Sequence, residues 1–381
     1  MSELRGKLLV EGRLQAGTLR TEGERIAAIE LDGRASSEEL PIIAPGLIDL
    51  HIHGFGGAEA ESELGEMARA LALAGTTGFQ PTLFPDRPER LGATSQRVWE
   101  EALSIRASSA AARVLGLHLE GPFVNPLAAG ALPRERLVAP SREALREILG
   151  PATGDGRGIK TMTLAPELAG SADLIDELAR SGVKASLGHS RATYAEAKAV
   201  ADGRRAGATH LFNAMSGAHH REVGLSGYAL TGGVAYAELI GDLAHVSGEA
   251  IELALRACGP KALALISDAL PGAGTGCDVF HWQGCDHIVR DGAAWFEGDH
   301  GQQLAGSATG QLEALRRLVQ RGHVTVEEGL AMGTEAPARA LGLEGELGLL
   351  AVGSRADLIV LAGPELALSE VWLGGERLAN A

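Results

Sequence analysis

Two histidines two residues apart, His51 and His53, end the apolar run that begins at Pro45-Gly46-Leu47-Ile48. Side chains on a β-strand alternate with period two, so both imidazoles leave on one face and one metal ion can touch both. An isolated His-x-His is equally a pair of solvated loop residues. What gives this one weight is how many later apolar segments run into similar chemistry: Leu117-His118-Leu119-Glu120-Gly121-Pro122, Leu187-Gly188-His189-Ser190, Thr209-His210-Leu211-Phe212-Asn213-Ala214-Met215 and Ile266-Ser267-Asp268-Ala269. Imidazole nitrogens and carboxylate oxygens suit a borderline divalent ion such as zinc, iron(II) or manganese. Such an ion lowers the pKa of a bound water toward neutrality, which makes hydrolysis of an amide or ester the expected reaction. One carboxylate must stay off the metal as general base and acid. Asp268, preceded by an apolar strand, is a better candidate for this than Glu120.

The elements that must position these residues follow from the hydrophobic pattern. Between residues 46 and 345, apolar runs of four to eight residues alternate with helical stretches, which indicates a parallel sheet with crossover helices. The expected strands cover 47–53, 78–83, 114–120, 159–164, 184–188, 209–211, 235–240 and 262–267. The expected helices cover 63–74, 87–106, 172–180, 194–205, 248–257 and 310–321. Eight strands with intervening helices fit a (β/α)8 TIM-like barrel. A doubly wound open sheet is the alternative, but no G-x-G-x-x-G turn follows the first strand. In a barrel, chemistry sits at the C-terminal ends of the strands. His51 and His53 end strand one, Glu120 strand three and His189 strand five; His210 begins strand six and strand eight runs into Asp268. All six would then point into one bowl. His118 lies one step deeper and reads as structural. Residues 1–45 and 346–381 are instead rich in short strands and turns, among them Asp32-Gly33 and Gly374-Gly375, and predict one small β-sandwich domain built from both termini.

Composition bounds the rest. At 381 residues, 45% hydrophobic and 22% charged, with 52 glycines, the chain reads as a globular α/β protein with many tight turns. A formal charge of −15 argues against a nucleic-acid surface, and any anionic substrate must be captured by a few local cations. No apolar run reaches a membrane span and Met1-Ser2-Glu3-Leu4-Arg5 lacks a signal-peptide core, so a cytoplasmic protein without a membrane partner is expected. Cys258, Cys277 and Cys285 have no C-x-x-C spacing and read as reduced thiols. The Gly- and Asp-rich stretch 271–303 predicts a surface β-hairpin insertion, with His281, His287 and His300 solvated.

Together, Asp49-Leu-His-Ile-His-Gly54, His118-Leu-Glu-Gly-Pro-Phe123, Gly188-His-Ser190, His210-Leu-Phe-Asn-Ala-Met215, His219-His-Arg-Glu222 and Ser267-Asp-Ala269 resemble the N-acetylglucosamine-6-phosphate deacetylase family of the metal-dependent amidohydrolase superfamily. The likeness covers nearly the whole chain, including the closing Ala351-Val-Gly-Ser-Arg-Ala-Asp-Leu-Ile-Val360. It implies that Glu120, His189 and His210 bind the tight metal, that His51 and His53 bind a second ion found in some members only, and that Asp268 is the acid–base residue. It also implies substrate contacts from Asn213, Ala214, Arg221, His245 and the His219 segment, some of them supplied across a homodimer. The implied reaction is hydrolysis of the acetamide of N-acetylglucosamine 6-phosphate.

Three features depart from the family pattern. Leu132 stands where the family usually carries a histidine thought to polarise the substrate carbonyl; Leu243 replaces a glycine; and Leu304-Ala-Gly-Ser-Ala-Thr-Gly-Gln311 lacks the usual ending. An apolar side chain cannot donate to an oxyanion, and losing such a donor costs about 2.7–4 kcal/mol of barrier. These departures keep open a different N-acyl amino sugar or cyclic amide as substrate, or a catalytically silent binding homologue.

Overall fold

A strand buried on both faces needs apolar residues along its whole length and a crossover helix on the outside. The middle of the chain repeats that pattern, and in the computed structural model it folds into a parallel barrel. The structure describes residues 1–32, 40–105, 110–150, 157–298 and 301–379. The barrel strands, in order, are Leu47–Ile52, Thr76–Leu83, Leu117–Leu119, Ile159–Leu164, Lys184–Leu187, Gly207–Ala208, Tyr236–Ile240 and Leu263–Ile266. Each pairs in parallel with the next, from the first to the eighth. The expected (β/α)8 TIM-like barrel is therefore present.

Side chains help to close it. Gln311 donates from Nε2 at 2.7 Å to both Ile48 O on strand one and Leu265 O on strand eight. Ser267 N donates to the buried Asp49 carboxylate at 3.2 Å, and Asp268 N donates to His51 O at 2.9 Å. Burial drives the Asp49 carboxyl up to about 7, against the lowering effect of the Ser267 and His51 hydrogen bonds. Gly188 shows how closely the strands approach: a Cβ there would lie 2.8 Å from Thr209 Cβ. The fifth strand can therefore reach its catalytic end only with a glycine before His189.

The expected helices are observed with slightly shorter or shifted ends. They span Leu64–Leu73, Pro88–Ile105, Ser171–Arg180, Tyr194–Ala201, Gly248–Cys258 and Gln311–Gln320. The fourth stops before Arg205 because the chain turns at Gly203, φ 76°. Arg142–Leu149, Val326–Gly333 and Glu335–Leu341 are further helices. The sixth strand ends at Ala208, so His210 follows that strand instead of beginning it.

Both termini supply a seven-stranded sheet: Ser2–Val10, Arg13–Glu22, Arg25–Leu31, Ile42–Pro45, Leu358–Ala362, Ala367–Leu373 and Glu376–Arg377. Leu8, Leu19, Ile26, Ile43 and Leu358 form its core. Gly33 of the expected Asp32-Gly33 turn lies outside the described residues.

The insertion after strand eight is larger than a hairpin. It is a four-stranded antiparallel sheet, Val279–Trp282, Cys285–Arg290, Ala293–Gly298 and Gly301–Ser307. His281 is exposed and bonded to Asp286, as expected of a solvated residue. His287 is buried, stacked on Phe280 with ring centroids 5.0 Å apart, which corrects the expectation that it is solvated. His300 lies outside the described residues. The three cysteines are free thiols. Among the described residues no helix is long and apolar enough to cross a membrane.

Candidate metal centre and active site

The polar residues at the barrel mouth sit just past their strands, where backbone direction changes sharply. His189 has φ 44°, His210 φ 29° and Asp268 φ 51°, all in the left-handed region that costs a non-glycine residue about 1–3 kcal/mol. Backbone hydrogen bonds hold two of these bends. Asn125 N donates to His189 O at 2.9 Å, while Asp268 donates to His51 O and accepts from Ser307 N, both at 2.9 Å. The Glu167 carboxylate fixes the loop around His189 by accepting from Ser190 Oγ at 2.7 Å, Arg191 N at 2.6 Å and Asn125 Nδ2 at 2.8 Å. Strain at a site, over-determined by its surroundings, sets side chains in directions that relaxed strands would not give.

The six residues expected to converge do so, and all are buried. Glu120 Oε1 lies 2.9 Å from His189 Nε2 and 3.0 Å from His210 Nε2, and those two nitrogens are 3.0 Å apart. Glu120, His189 and His210 form one potential metal-binding group; His51, His53 and Asp268 form another. The two groups interpenetrate. His51 Nε2 is 3.5 Å from Glu120 and 3.4 Å from Asp268, and His53 Nε2 is 3.3 Å and 3.5 Å from the same two carboxylates.

Accounting for protons shows what this arrangement requires. His189 Nδ1 faces Ala128 O at 2.9 Å and His53 Nδ1 faces Thr82 O at 3.2 Å; a carbonyl only accepts, so both Nδ1 atoms carry the proton. In the neutral rings Nε2 then carries a lone pair aimed at a carboxylate that is also acceptor-only. Facing lone pairs repel unless a cation sits between them. A proton is one solution and a divalent ion the other, and the nitrogen and oxygen donor set fits the ion.

The electrostatics show the same demand for positive charge. Burial alone would raise the Glu120 pKa, but the charge on His51 and hydrogen bonds from His189 and His210 hold it well below the usual carboxylate range. Burial would likewise lower His51, yet the charges of Asp268 and Glu120 hold it well above an ordinary histidine. For Asp268, burial is again outweighed, by the charge on His51 and the hydrogen bond from His53, and the pKa is lowered. The pocket thus keeps its carboxylates ionised and draws positive charge into itself.

A cavity of about 240 Å³ opens on this cluster. His53, Glu120, His189, His210 and Asp268 line one part, together with Asn213, Ala214 and His245. Asp268 has 12% of its side chain exposed against 5% for Glu120, so it is the carboxylate that a bound substrate meets most readily. His245 presents Nε2 to the cavity side because Nδ1 is held by Asp242 Oδ2 at 2.7 Å. Leu132, Phe84, Leu304 and Ala305 complete the lining with apolar groups. Leu132 packs with Phe84, Val124 and Ala129, and Phe84 stacks on the His53 ring at 4.2 Å. Arg221 and His219 are exposed and do not line this cavity. His118 is buried with both nitrogens engaged, by Leu50 O at 3.1 Å and Thr163 Oγ1 at 2.8 Å, in keeping with a structural role.

Sequence reasoning missed Glu238 and Phe84. Glu238 belongs to the fully buried strand Tyr236–Ile240, and its Oε2 lies 3.1 Å from His51 Nδ1. The signal was present as the lone charge inside an apolar strand. Phe84 follows strand two with no polar neighbour in sequence to mark it.

Comparison with known proteins agrees with this geometry. The amidohydrolase family model matches residues 42–378. The chain is 31% identical over 374 residues to N-acetylgalactosamine-6-phosphate deacetylase of Escherichia coli O157:H7, covering 97% of this chain and 96% of that one. It is 33% identical over 356 residues to human N-acetylglucosamine-6-phosphate deacetylase, covering 89% and 84%. Among solved structures, a mutant N-acetyl-D-glucosamine-6-phosphate deacetylase from Mycobacterium smegmatis, in complex with N-acetyl-D-glucosamine-6-phosphate, matches with a TM-score of 0.85 at 29% identity over 98% of each chain. The deacetylase from Thermotoga maritima matches with a TM-score of 0.85 at 27% identity over 99% of each. Strand-end histidines and carboxylates, barrel and relatives agree: the chain belongs to the amidohydrolase family and, within it, to the N-acetylglucosamine-6-phosphate deacetylase family.

Proposed function

We propose that this chain hydrolyses the acetamide of N-acetylglucosamine 6-phosphate, releasing acetate and glucosamine 6-phosphate. The observation that carries the reading is the set of buried imidazole lone pairs and ionised carboxylates facing one another at the floor of a small cavity. Glu120, His189 and His210 would hold a divalent ion (zinc, iron(II) or manganese). When bound, that ion supplies Lewis acidity and lowers the pKa of water.

The chain's own residues supply the rest. Asp268 takes the proton from the water that attacks the acetamide carbonyl, then delivers it to the sugar nitrogen as the C–N bond breaks. His53 and His51 hold Asp268 ionised and oriented, at 3.5 and 3.4 Å. His245 and Asn213, with the Ala214 backbone, receive the 6-phosphate, so a few local groups bind an anion to a protein of net charge −15. Arg221 and His219 are exposed outside their own cavity and, in a homodimer, would complete the phosphate site of the other subunit.

A second reading is the 4-epimer, N-acetylgalactosamine 6-phosphate, favoured by the 31% identity to a deacetylase of that sugar over 97% of this chain. Acetate release measured on both epimers, with and without the phosphate, and on other N-acyl amino sugars, separates the two. A protein that binds metal but releases no acetate from either would overturn the reading. Light scattering, and mixing of Arg221→Ala with Asp268→Asn subunits, test the shared site. Activity restored in the mixed dimer supports it.

A further inference from the structure

We propose that Phe84, Leu132, Leu304 and Ala305 form an acyl subsite, so that this chain removes N-acyl groups longer than acetyl, such as propionyl and butyryl, faster than acetyl itself. The proposal rests on the hydrolytic reading of the same cavity and adds the class of acyl group that it takes.

The lining of the cavity divides by chemistry. Asn213, the Ala214 backbone and His245 offer polar groups, whereas Phe84, Leu132, Leu304 and Ala305 offer only carbon. The carbonyl carbon of an amide carries two substituents, the nitrogen with its sugar and the acyl chain. A phosphorylated sugar set against the apolar side would leave its hydroxyls without partners, which is costly away from water. The sugar phosphate therefore takes the polar side. The acyl chain, the one apolar part of the substrate, is left with the carbon wall.

The wall begins at the reacting centre and is packed from behind. Phe84 stacks on His53 with ring centroids 4.2 Å apart, and His53 Nε2 is 3.5 Å from Asp268. Phe84, Val124, Ala129 and Leu132 form a hydrophobic cluster of their own, apart from the barrel core, with Leu137 and Trp282 against it. The Trp282 ring lies 5.3 Å from that of Phe84, and its Nε1 donates to Glu59 Oε2 at 2.7 Å. Trp282 and Leu304 come from the first and last strands of the four-stranded insertion, which thereby acquires a part in the site. An acetyl group brings a single methyl to this surface. Each further methylene removed from water against it is worth about a fourfold gain. The chemistry is that of any amide hydrolysis: water adds its oxygen to the acyl carbon, the C–N bond breaks, and the nitrogen leaves with a proton, giving a carboxylic acid and a free amine.

The test is a series of glucosamine 6-phosphates acylated on nitrogen with acetyl, propionyl, butyryl or hydroxyacetyl, with release of the free amine followed in the full chain. We expect kcat/KM to rise about fourfold from acetyl to propionyl and again to butyryl. Hydroxyacetyl matches propionyl in length but sets a hydroxyl against the wall, and it should fall about tenfold or more below propionyl. In Leu132→Ser the ratio of butyryl to acetyl should drop several-fold; taking the ratio within one variant cancels damage common to both substrates. Where that variant does not fold, Leu132→Ala, which shortens the wall without adding a polar atom, takes its place with the same expected direction. A series that is flat or falls with chain length would overturn the proposal, as would hydroxyacetyl equal to propionyl or a ratio unmoved by the Leu132 variant. No amine released from any of the four, acetyl included, would reject the hydrolytic reading as well.

Discussion

His189 and His210 hold their Nε2 atoms 3.0 Å apart, both against the same oxygen of Glu120. Two nitrogens and one oxygen that close, inside a buried pocket, need a positive charge among them. Replacing Glu120 with Gln removes the negative member and puts an amide in its place. The expected result is loss of the tightly held metal and a fall in kcat/KM of about 10³-fold or more, beyond the 10- to 100-fold that losing an outer-shell partner costs. Elemental analysis beside an acetate-release assay checks both. Chelation of the unaltered chain should abolish activity, and adding a divalent ion should restore it.

Asp268→Asn keeps the size of the side chain and removes its ability to take a proton. Metal content should be retained while kcat falls by about 10²–10⁴-fold. Near-normal turnover in that variant would take Asp268 out of the reaction.

The Asp242–His245 pair predicts a pH dependence. Burial would lower the His245 pKa, but the hydrogen bond and charge of Asp242 raise it above the ordinary value. Burial would raise Asp242, and His245 together with backbone N–H groups lowers it. The stability that His245 contributes is present below its unfolded pKa and lost as pH rises through the higher folded one. The contribution of Asp242 is present above its unfolded pKa and lost as pH falls through the lower folded one. KM for the phosphorylated substrate should therefore rise on the alkaline side, as His245 loses its charge. Asp242→Asn should move that rise to lower pH without moving the kcat profile, which steady-state kinetics across pH would show.

Leu132, at the position where the sequence resemblance leads one to expect a histidine, packs with Phe84, Val124 and Ala129. Leu132→His should raise kcat on the acetylated sugar phosphate by about tenfold or more, since a donor to the developing oxyanion is worth about 2.7–4 kcal/mol where it is well placed. It should also lower Tm, because a polar ring then displaces an aliphatic side chain among buried carbons. Unchanged kcat with lowered Tm would show that the carbonyl needs no donor from that side.

Gln311 ties the first and last barrel strands through two 2.7 Å hydrogen bonds to buried carbonyls. Gln311→Leu removes both donors and should destabilise the fold by about 2–4 kcal/mol, counting about 1–2 for each lost bond. Urea unfolding measures the loss.

The order of elements was legible because each buried parallel strand is a short apolar run and each crossover helix an amphipathic one. Both signals are local. His51, His53, Glu120, His189 and Asp268 were legible as a set because in this fold the strand ends converge, whatever their separation in sequence. His210 was legible as a strand-six residue but follows that strand instead of beginning it, since the strand ends at Ala208 and the chain reaches the pocket by a left-handed bend that no local pattern announces.

By itself the sequence determined the donor types, their spacing along the chain and the architecture that gathers them, since these depend on residue identity and on period-two and helical periodicity. Only the tertiary structure decided which nitrogen of each histidine faces inward, because that depends on what lies behind the ring: Ala128 O for His189, Thr82 O for His53 and Glu238 for His51. It likewise decided that Arg221 and His219 stand outside their own cavity, and that Leu132 joins an apolar wall beside it. Those facts arise from contacts between segments far apart in the chain, where distance in space and distance in sequence are unrelated.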